Sequence, residues 1–236
     1  MHETLLVGAG GLLRLVRDIL SAAPGMRPVE FDGVWERFAC SSLPQGVLPD
    51  EIAALWQRGV RRAVVALEDN LARVAMAEAL ECRGFELCSA IHPLASISPS
   101  ARLGRHVIVG ARAIVCVHAR IESHCVLSTA SIAEHDNELG LGVRLETAAR
   151  LAGGVQVDAF ATVGVGSSVI PYRKLGKHVV VRPGSVVIRD VPDGAVVAGV
   201  PARSEPSGPL RFVAEDRSRF RGARAQASGL GASVQR

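Results

Sequence analysis

Residues 91–186 divide into sixteen consecutive hexads without an insertion, from IHPLAS, ISPSAR, LGRHVI and VGARAI onward to VRPGSV. The first residue of each is Ile, Leu or Val, with Ala133 as the one exception. The fifth is mostly small, as at Ala95, Ala113, Ala119, Ser131, Ala149, Ala161, Ser167 and Ser185. No other feature constrains the fold as strongly, because a six-residue period is the signature of a β-helix. Each hexad supplies one short strand and one corner, and three hexads close a triangular coil. The aliphatic first residue points inward and stacks on its equivalents above and below. The fifth residue sits where the interior narrows, so a small side chain fits. One coil cannot bury its apolar face alone, whereas a stack buries a continuous core. Hydrophobic residues make up 48% of the chain and aromatic residues only 4%, which suits a core of stacked Val, Ile, Leu and Ala.

Ahead of the hexads, TLLVGAGGLLRLVRDIL at 4–20 predicts a strand over Leu5–Val7, a glycine turn, and a helix with Leu12, Leu15, Val16 and Ile19 on one face. Gly8, Gly10 and Gly11 in that turn are candidates for backbone approach to a phosphate at a helix N-terminus. A full dinucleotide fingerprint needs glycine at position 13, which is Leu13, so the motif is incomplete. A turn that only packs helix on strand remains the alternative. A second strand over Pro28–Phe31 leads to Asp32, which is either a ligand for a ribose or base, or a turn residue. Helices over Pro49–Arg58 and Leu71–Arg83, the second capped by Glu68-Asp69-Asn70, alternate with strands over Arg62–Leu67 and Phe85–Ile91. Such alternation predicts a small parallel sheet of Rossmann-like character. The expected division is 1–90 for this α/β domain, 91–203 for the β-helix and 204–236 for a disordered tail rich in Arg, Ser, Gly and Ala.

The net charge of +4 gathers much of its excess in that tail, so no nucleic-acid partner is expected. No apolar run reaches the ~18 residues of a membrane span. MHETLLVGAGG has no basic leader region, so no signal peptide is expected. The five cysteines lack metal-like spacing, and reduced thiols of a cytoplasmic protein are the expectation.

Chemistry is sought where the repeat breaks. AEHDNE at 133–138 has Ala133 in place of an aliphatic, Asn137 in place of a small residue, and a cluster of Glu134, His135, Asp136 and Glu138. A charged cluster in an apolar repeat costs packing and so points to a local function. His135 beside Asp136 is a candidate general base, because imidazole is largely neutral at pH 7 and a carboxylate stabilises the cation it forms. His106, His118, His124 and His178 lie in regular hexads and are expected on the outer surface; His92, before Pro93, is expected to be structural. No H-x-H or C-x-x-C pair supports a metal site.

The order of a GAGG–helix unit, a small α/β domain, hexads containing EHD, then LAGGV, VGVGSSVI and DVPDGAVVAGVPA is similar to that of the bacterial sugar O-/N-acyltransferases. These include nucleotide-sugar N-acetyltransferases and sialic acid O-acetyltransferases. The likeness covers about residues 4–203. It implies a left-handed parallel β-helix, a cytoplasmic homotrimer, and acetyl-CoA bound between neighbouring helices. It implies that His135 deprotonates the acceptor and that Asp136 raises its basicity. It places the pantetheine arm past Gly153, Val165 and Pro183, and the acceptor's nucleotide against Gly8–Gly11 and Asp32. Two positions depart from the family. A histidine is often found after Gly-Gly, where this chain has Leu12. A second histidine often follows the base by nine residues, where this chain has Arg144; the arginine is expected to meet a carbonyl or phosphate of coenzyme A. The function implied is N-acetylation of a nucleotide-linked amino sugar in surface-glycan synthesis, with sugar O-acetylation and a non-catalytic trimeric scaffold as alternatives.

Overall fold

The computed structural model describes residues 2–22, 26–31 and 50–205. Asp32 and the segment 206–236 lie outside the described residues. The described residues belong to one compact unit.

The N-terminal part holds strands β1 (His2–Gly8), β2 (Met26–Phe31), β3 (Arg62–Ala66) and β4 (Glu86–Leu87), with helices α1 (Gly10–Ala22), α2 (Asp50–Gln57) and α3 (Asn70–Cys82). The four strands form a parallel sheet in the order β2-β1-β3-β4. Strand alternation decides which face each side chain covers. Leu5, Val7, Ala63 and Val65 pack against Ile52, Met76, Ala77 and Leu80 of α2 and α3. Leu6, Val64 and Ala66 face the opposite way and meet Leu12, Val16 and Ile19 of α1, together with Ala90, Ile108 and Val126. The last two belong to the hexads, so the sheet and the solenoid share one core. Asp69 caps α3, its carboxylate accepting the Ala72 N–H at 2.8 Å. The strand expected over Phe85–Ile91 is two: Glu86–Leu87 joins the small sheet, and Ala90–Ile91 opens the solenoid.

The hexads form a parallel β-helix of about six turns. Each strand is two residues long and pairs with the strand one coil away, as Arg102 with Arg120 and Arg120 with Glu138. Partners are therefore 18 residues apart. The expected register holds: Val109, Val115, Ile121, Leu127, Leu139 and Leu145 at first positions are buried, as are Ala113, Ala119, Ala149 and Ala161 at fifth positions. Ala133 is inward too. Asn137 does not leave the pattern but is fully buried at its fifth position. From His106 to Gly184 every corner turns at the fourth residue of its hexad, which adopts left-handed φ values between +52° at His106 and +70° at Gly184. Because the period is fixed, fourth-position residues also stack in columns at intervals of 18.

One such column makes the joint between the two parts, and here the expectation of outward histidines fails. His106 and His124 are buried, with their Nδ1 atoms 2.9 Å apart. Strand β4 ends beside Ala63, leaving the Val65 N–H beyond the sheet ladder; it donates to His106 Nε2 at 2.9 Å. That acceptor role puts the His106 proton on Nδ1, which donates to His124 Nδ1 and leaves the His124 proton on Nε2. Both rings are thus neutral. Burial first, then the charges of His124 and Arg73, push His106 down to about 3; burial and Arg73 lower His124 as well. Arg73, on α3, is itself fully buried and donates to the carbonyls of Leu67, His124 and Gly142 and to Asn70 Oδ1. Asn70 Nδ2 reaches the Phe160 carbonyl and Thr162 Oγ1. No helix among the described residues is long and apolar enough to cross a membrane.

Two outcomes follow from this packing. Ala149→Lys drives a charge into the narrow interior, where overpacking costs about 1–3 kcal/mol and an unpaired charge more. It should melt far below Arg150→Lys, which alters an exposed residue; equal melting temperatures would show the register to be wrong. The buried histidines give the second. Unfolded histidine binds a proton near pH 6.5, whereas folded His106 does so only near 3, so unfolding takes up protons between those values. Stability is complete above about pH 6.5 and declines as pH falls through that window. Thermal midpoints should drop from pH 7.5 to pH 5, ahead of carboxylate titration, and a flat profile there contradicts a neutral pair.

Candidate functional site

The corner at 133–138 carries the candidate base. Asp136 takes the left-handed fourth position, φ +57°, and its N–H donates to the Val117 carbonyl one coil below. This turn brings the carboxylate onto the neighbouring ring, with His135 Nδ1 2.9 Å from Asp136 Oδ2. The hydrogen bond from His135 is the main cause that holds the Asp136 carboxyl below the usual carboxylate range; the charges of His135 and His118 add to it. An anionic acceptor fixes the His135 proton on Nδ1 and leaves the Nε2 lone pair free. The side chain is about half exposed, at 48%, so the ring is reachable from solvent.

Two neighbours fix the backbone behind it. Asn137 Nδ2 donates to the carbonyls of Glu134 and Ala152, at 2.8 and 2.9 Å, and to that of His135 at 3.3 Å. The Gly154 N–H also donates to the His135 carbonyl, at 2.9 Å. Gly153 is the floor on which the ring lies: a Cβ there would stand 2.3 Å from His135 Nε2. Cys116, one coil below Glu134, gives its thiol to that carboxylate and is pushed up by burial and by Glu134, so it is a poor nucleophile. Burial pushes the Cys125 thiol up to about 12. Among the described residues no cluster of His, Cys, Asp and Glu is arranged to hold a metal ion.

A second region lies at the preceding corner. A cavity of about 370 Å³ opens between Gly11, Leu12 and Leu15 of α1, Glu68, and coil residues that include Arg144, Glu146 and Val165. Gly11, Arg144 and Val165 are thereby brought together. The Gly11 N–H donates to Glu68 Oε1 at 3.0 Å, so this helix-terminal donor is held by a carboxylate of the chain itself. Arg144 donates to the Glu68 carbonyl at 2.9 Å and pairs with Glu146, whose Oε2 accepts the Val165 N–H at 3.1 Å. The guanidinium expected on coenzyme A therefore ties the α3-capping loop to the coil. Gly10 starts α1 with φ +76°, and Gly8 is buried where a Cβ would meet the Ala66 carbonyl oxygen at 2.3 Å. Gly8 packs strand on strand and does not line the cavity. Pro183 is exposed, one coil beyond Val165.

Between the two corners runs the face of the sheet built from strands such as Ile132–Ala133, Arg150–Leu151 and Ser168–Val169. It bears a shallow groove of about 360 Å³, mostly apolar, lined by Ile132, Glu134, Ala152, Ile170 and Pro171. Sequence reasoning missed Asn137 as a brace, His118 beside Asp136, and Glu68 and Arg73 as anchors. The 18-residue spacing between His118 and Asp136 was the signal that finds one of them.

No family model matches the chain. Solved structures do. PerB from Caulobacter crescentus, in complex with CoA and GDP-perosamine, is 34% identical, covers 87% of this chain and 98% of its own, and superposes with a TM-score of 0.76. The acetyltransferase domain of PglB from Neisseria gonorrhoeae, in complex with acetyl coenzyme A, is 26% identical over 86% of this chain and 99% of that one, with a TM-score of 0.76. Among curated proteins, the acyl-(acyl-carrier-protein)–UDP-N-acetylglucosamine O-acyltransferase of Burkholderia orbicola is 32% identical over 74 residues, and the match spans 28% of its length.

The contact between Gly153 and the imidazole is testable without a substrate. Gly153→Ala should swing the half-exposed His135 ring outward and displace its NMR signals, while the melting temperature stays within a few degrees. Unmoved ring signals would contradict the contact.

Proposed function

This chain belongs to the bacterial sugar O-/N-acyltransferase family of β-helix proteins, and we propose that it transfers the acetyl group of acetyl-CoA to the amine of a nucleotide-linked sugar in surface-glycan synthesis. The observation that carries this reading is the His135–Asp136 pair, which leaves an unprotonated Nε2 at an open corner. The acceptor nitrogen attacks the thioester carbonyl, and its extra proton passes to Nε2 as the C–N bond forms. The C–S bond then breaks, and the coenzyme leaves as a thiolate that takes up that proton. Asp136 stabilises the imidazolium in between. The likeness to an enzyme that binds both CoA and GDP-perosamine supports the choice of a nucleotide-linked amino sugar.

On this reading the N-terminal part, about residues 1–90, is a Rossmann-like acceptor domain, and 91–203 is a left-handed helix bearing the base. The nucleotide lies in the cavity at Gly10–Gly11, where Glu68 moves aside for a phosphate or accepts a hydrogen bond from the ribose or base. Arg144 and Val165 line that cavity and are assigned to the acceptor side, whereas Gly153 stands at the reacting centre. The pantetheine arm follows the apolar groove at Ile132, Ala152 and Ile170, and Pro183 lies near its outer end. The cavity and the base occupy different corners of one coil. A complete site therefore draws its cavity and its base from neighbouring copies, which supports a homotrimer.

Thiol release from acetyl-CoA should occur with nucleotide-linked amino sugars. His135→Ala should lower kcat by about 10²–10⁴-fold with acetyl-CoA binding retained. Turnover with hydroxyl sugars alone would favour O-acetylation, turnover with neither a scaffold, and wild-type kcat in His135→Ala would remove the base assignment.

A further inference from the structure

The column of fourth-position residues at the His135 corner runs His118, Asp136, Gly154 and Tyr172. His118 and Asp136 are one coil apart, and both backbones are fixed by left-handed φ values, +59° and +57°. The His118 N–H also donates to Ser100 Oγ at 3.2 Å. This stacking sets His118 Nδ1 3.5 Å from Asp136 Oδ1, while Asp136 Oδ2 lies 2.9 Å from His135 Nδ1. The two oxygens of one carboxylate thus face two different imidazoles. Other charged groups around the corner have partners of their own. Glu134 accepts from the Cys116 thiol, and Arg120 lies 3.8 Å from Glu138.

We infer that His118 is a positioning residue for the base: it holds the far oxygen of Asp136 and so orients the near oxygen on His135. The inference rests on His135 being the base of the acetyl transfer proposed above. A carboxylate attached at one oxygen only, on an exposed corner, rotates about its own bonds and samples orientations that no longer meet the ring. A second donor removes that freedom. It also draws on the carboxylate's charge, so that less of it is left to stabilise the His135 imidazolium. His118 therefore trades a little basicity for a fixed geometry.

The test uses His118→Ala, a change the fold accepts, because Ala130 and Ala148 occupy the equivalent left-handed position at +58°. The midpoint of the His135 ring, followed by NMR titration, should move up by about half a pH unit, a small shift because the corner is open to solvent. The acid limb of kcat/KM should move the same way. kcat should fall about three- to tenfold, with the KM for acetyl-CoA unchanged. In an Asp136→Asn background the same substitution should produce no further shift. An unmoved midpoint in His118→Ala, or a shift that persists without the Asp136 carboxylate, overturns the inference. A wild-type protein that releases no thiol would instead remove the acetyl-transfer reading, while the ring titration would still report on the His118–Asp136–His135 coupling.

Discussion

Everything described here depends on side chains stacking on those 18 residues away. The coil has no other source of cohesion: its strands are two residues long, and none makes a stable sheet alone. Stacking Val109 on Leu127 on Leu145 along the inside buries each apolar group against its counterparts, and the parallel strand pairs follow from that alignment. Small residues at the fifth position are a steric requirement of the same geometry. Once the interior is fixed, the outer residues have no choice of neighbour either. An outward residue meets whatever stands one coil above and below, and this turns a structural period into a device for building sites.

Two clusters arise this way. At the corner facing the small sheet, His106 and His124 stack into a neutral pair, and Arg73 enters from α3 to donate to carbonyl oxygens. A buried guanidinium is costly, and the multiple carbonyl acceptors, with the charge of Asp69, offset it. Its positive field then disfavours protonation of the adjacent histidines. The joint is thus held by directional hydrogen bonds over a shared apolar core. At another corner the same stacking brings His118 beneath Asp136, with the opposite electrostatic result. There an exposed carboxylate faces two imidazoles, which hold it below the usual carboxylate range. Two stacked pairs of identical spacing, His106–His124 and His118–Asp136, differ in character because one is sealed by the N-terminal part and the other faces solvent.

The solenoid was legible because its determinants are local and repeated: aliphatic first residues and mostly small fifth residues recur along the hexads. His135 and Asp136 were legible because they stand in the hexad whose first and fifth residues both depart from the pattern. The buried histidines were not legible from the hexad alone, because their burial comes from β3 and α3, which lie about 40–50 residues earlier in the chain. The partners of Arg144 were hidden for a similar reason. The sequence shows an outward sixth position, but the Glu68 carbonyl, from the loop before α3, accepts from its guanidinium. Asn137 looked like a lapse in the core and is instead a buried amide that ties three carbonyls behind the base. A pattern of hydrophobicity reports where a residue points, not what another part of the chain brings to it.

The joint and the candidate base both turn on where protons sit on three imidazoles, and nitrogen-15 correlation spectra of the histidine rings near pH 7.5 read this directly. They should show His106 neutral with its proton on Nδ1 and His124 neutral with its proton on Nε2. The neutral fraction of His135 should carry its proton on Nδ1, leaving Nε2 as the base. A His135 ring protonated on Nε2 in its neutral form, or a His106 ring protonated on both nitrogens, would contradict it.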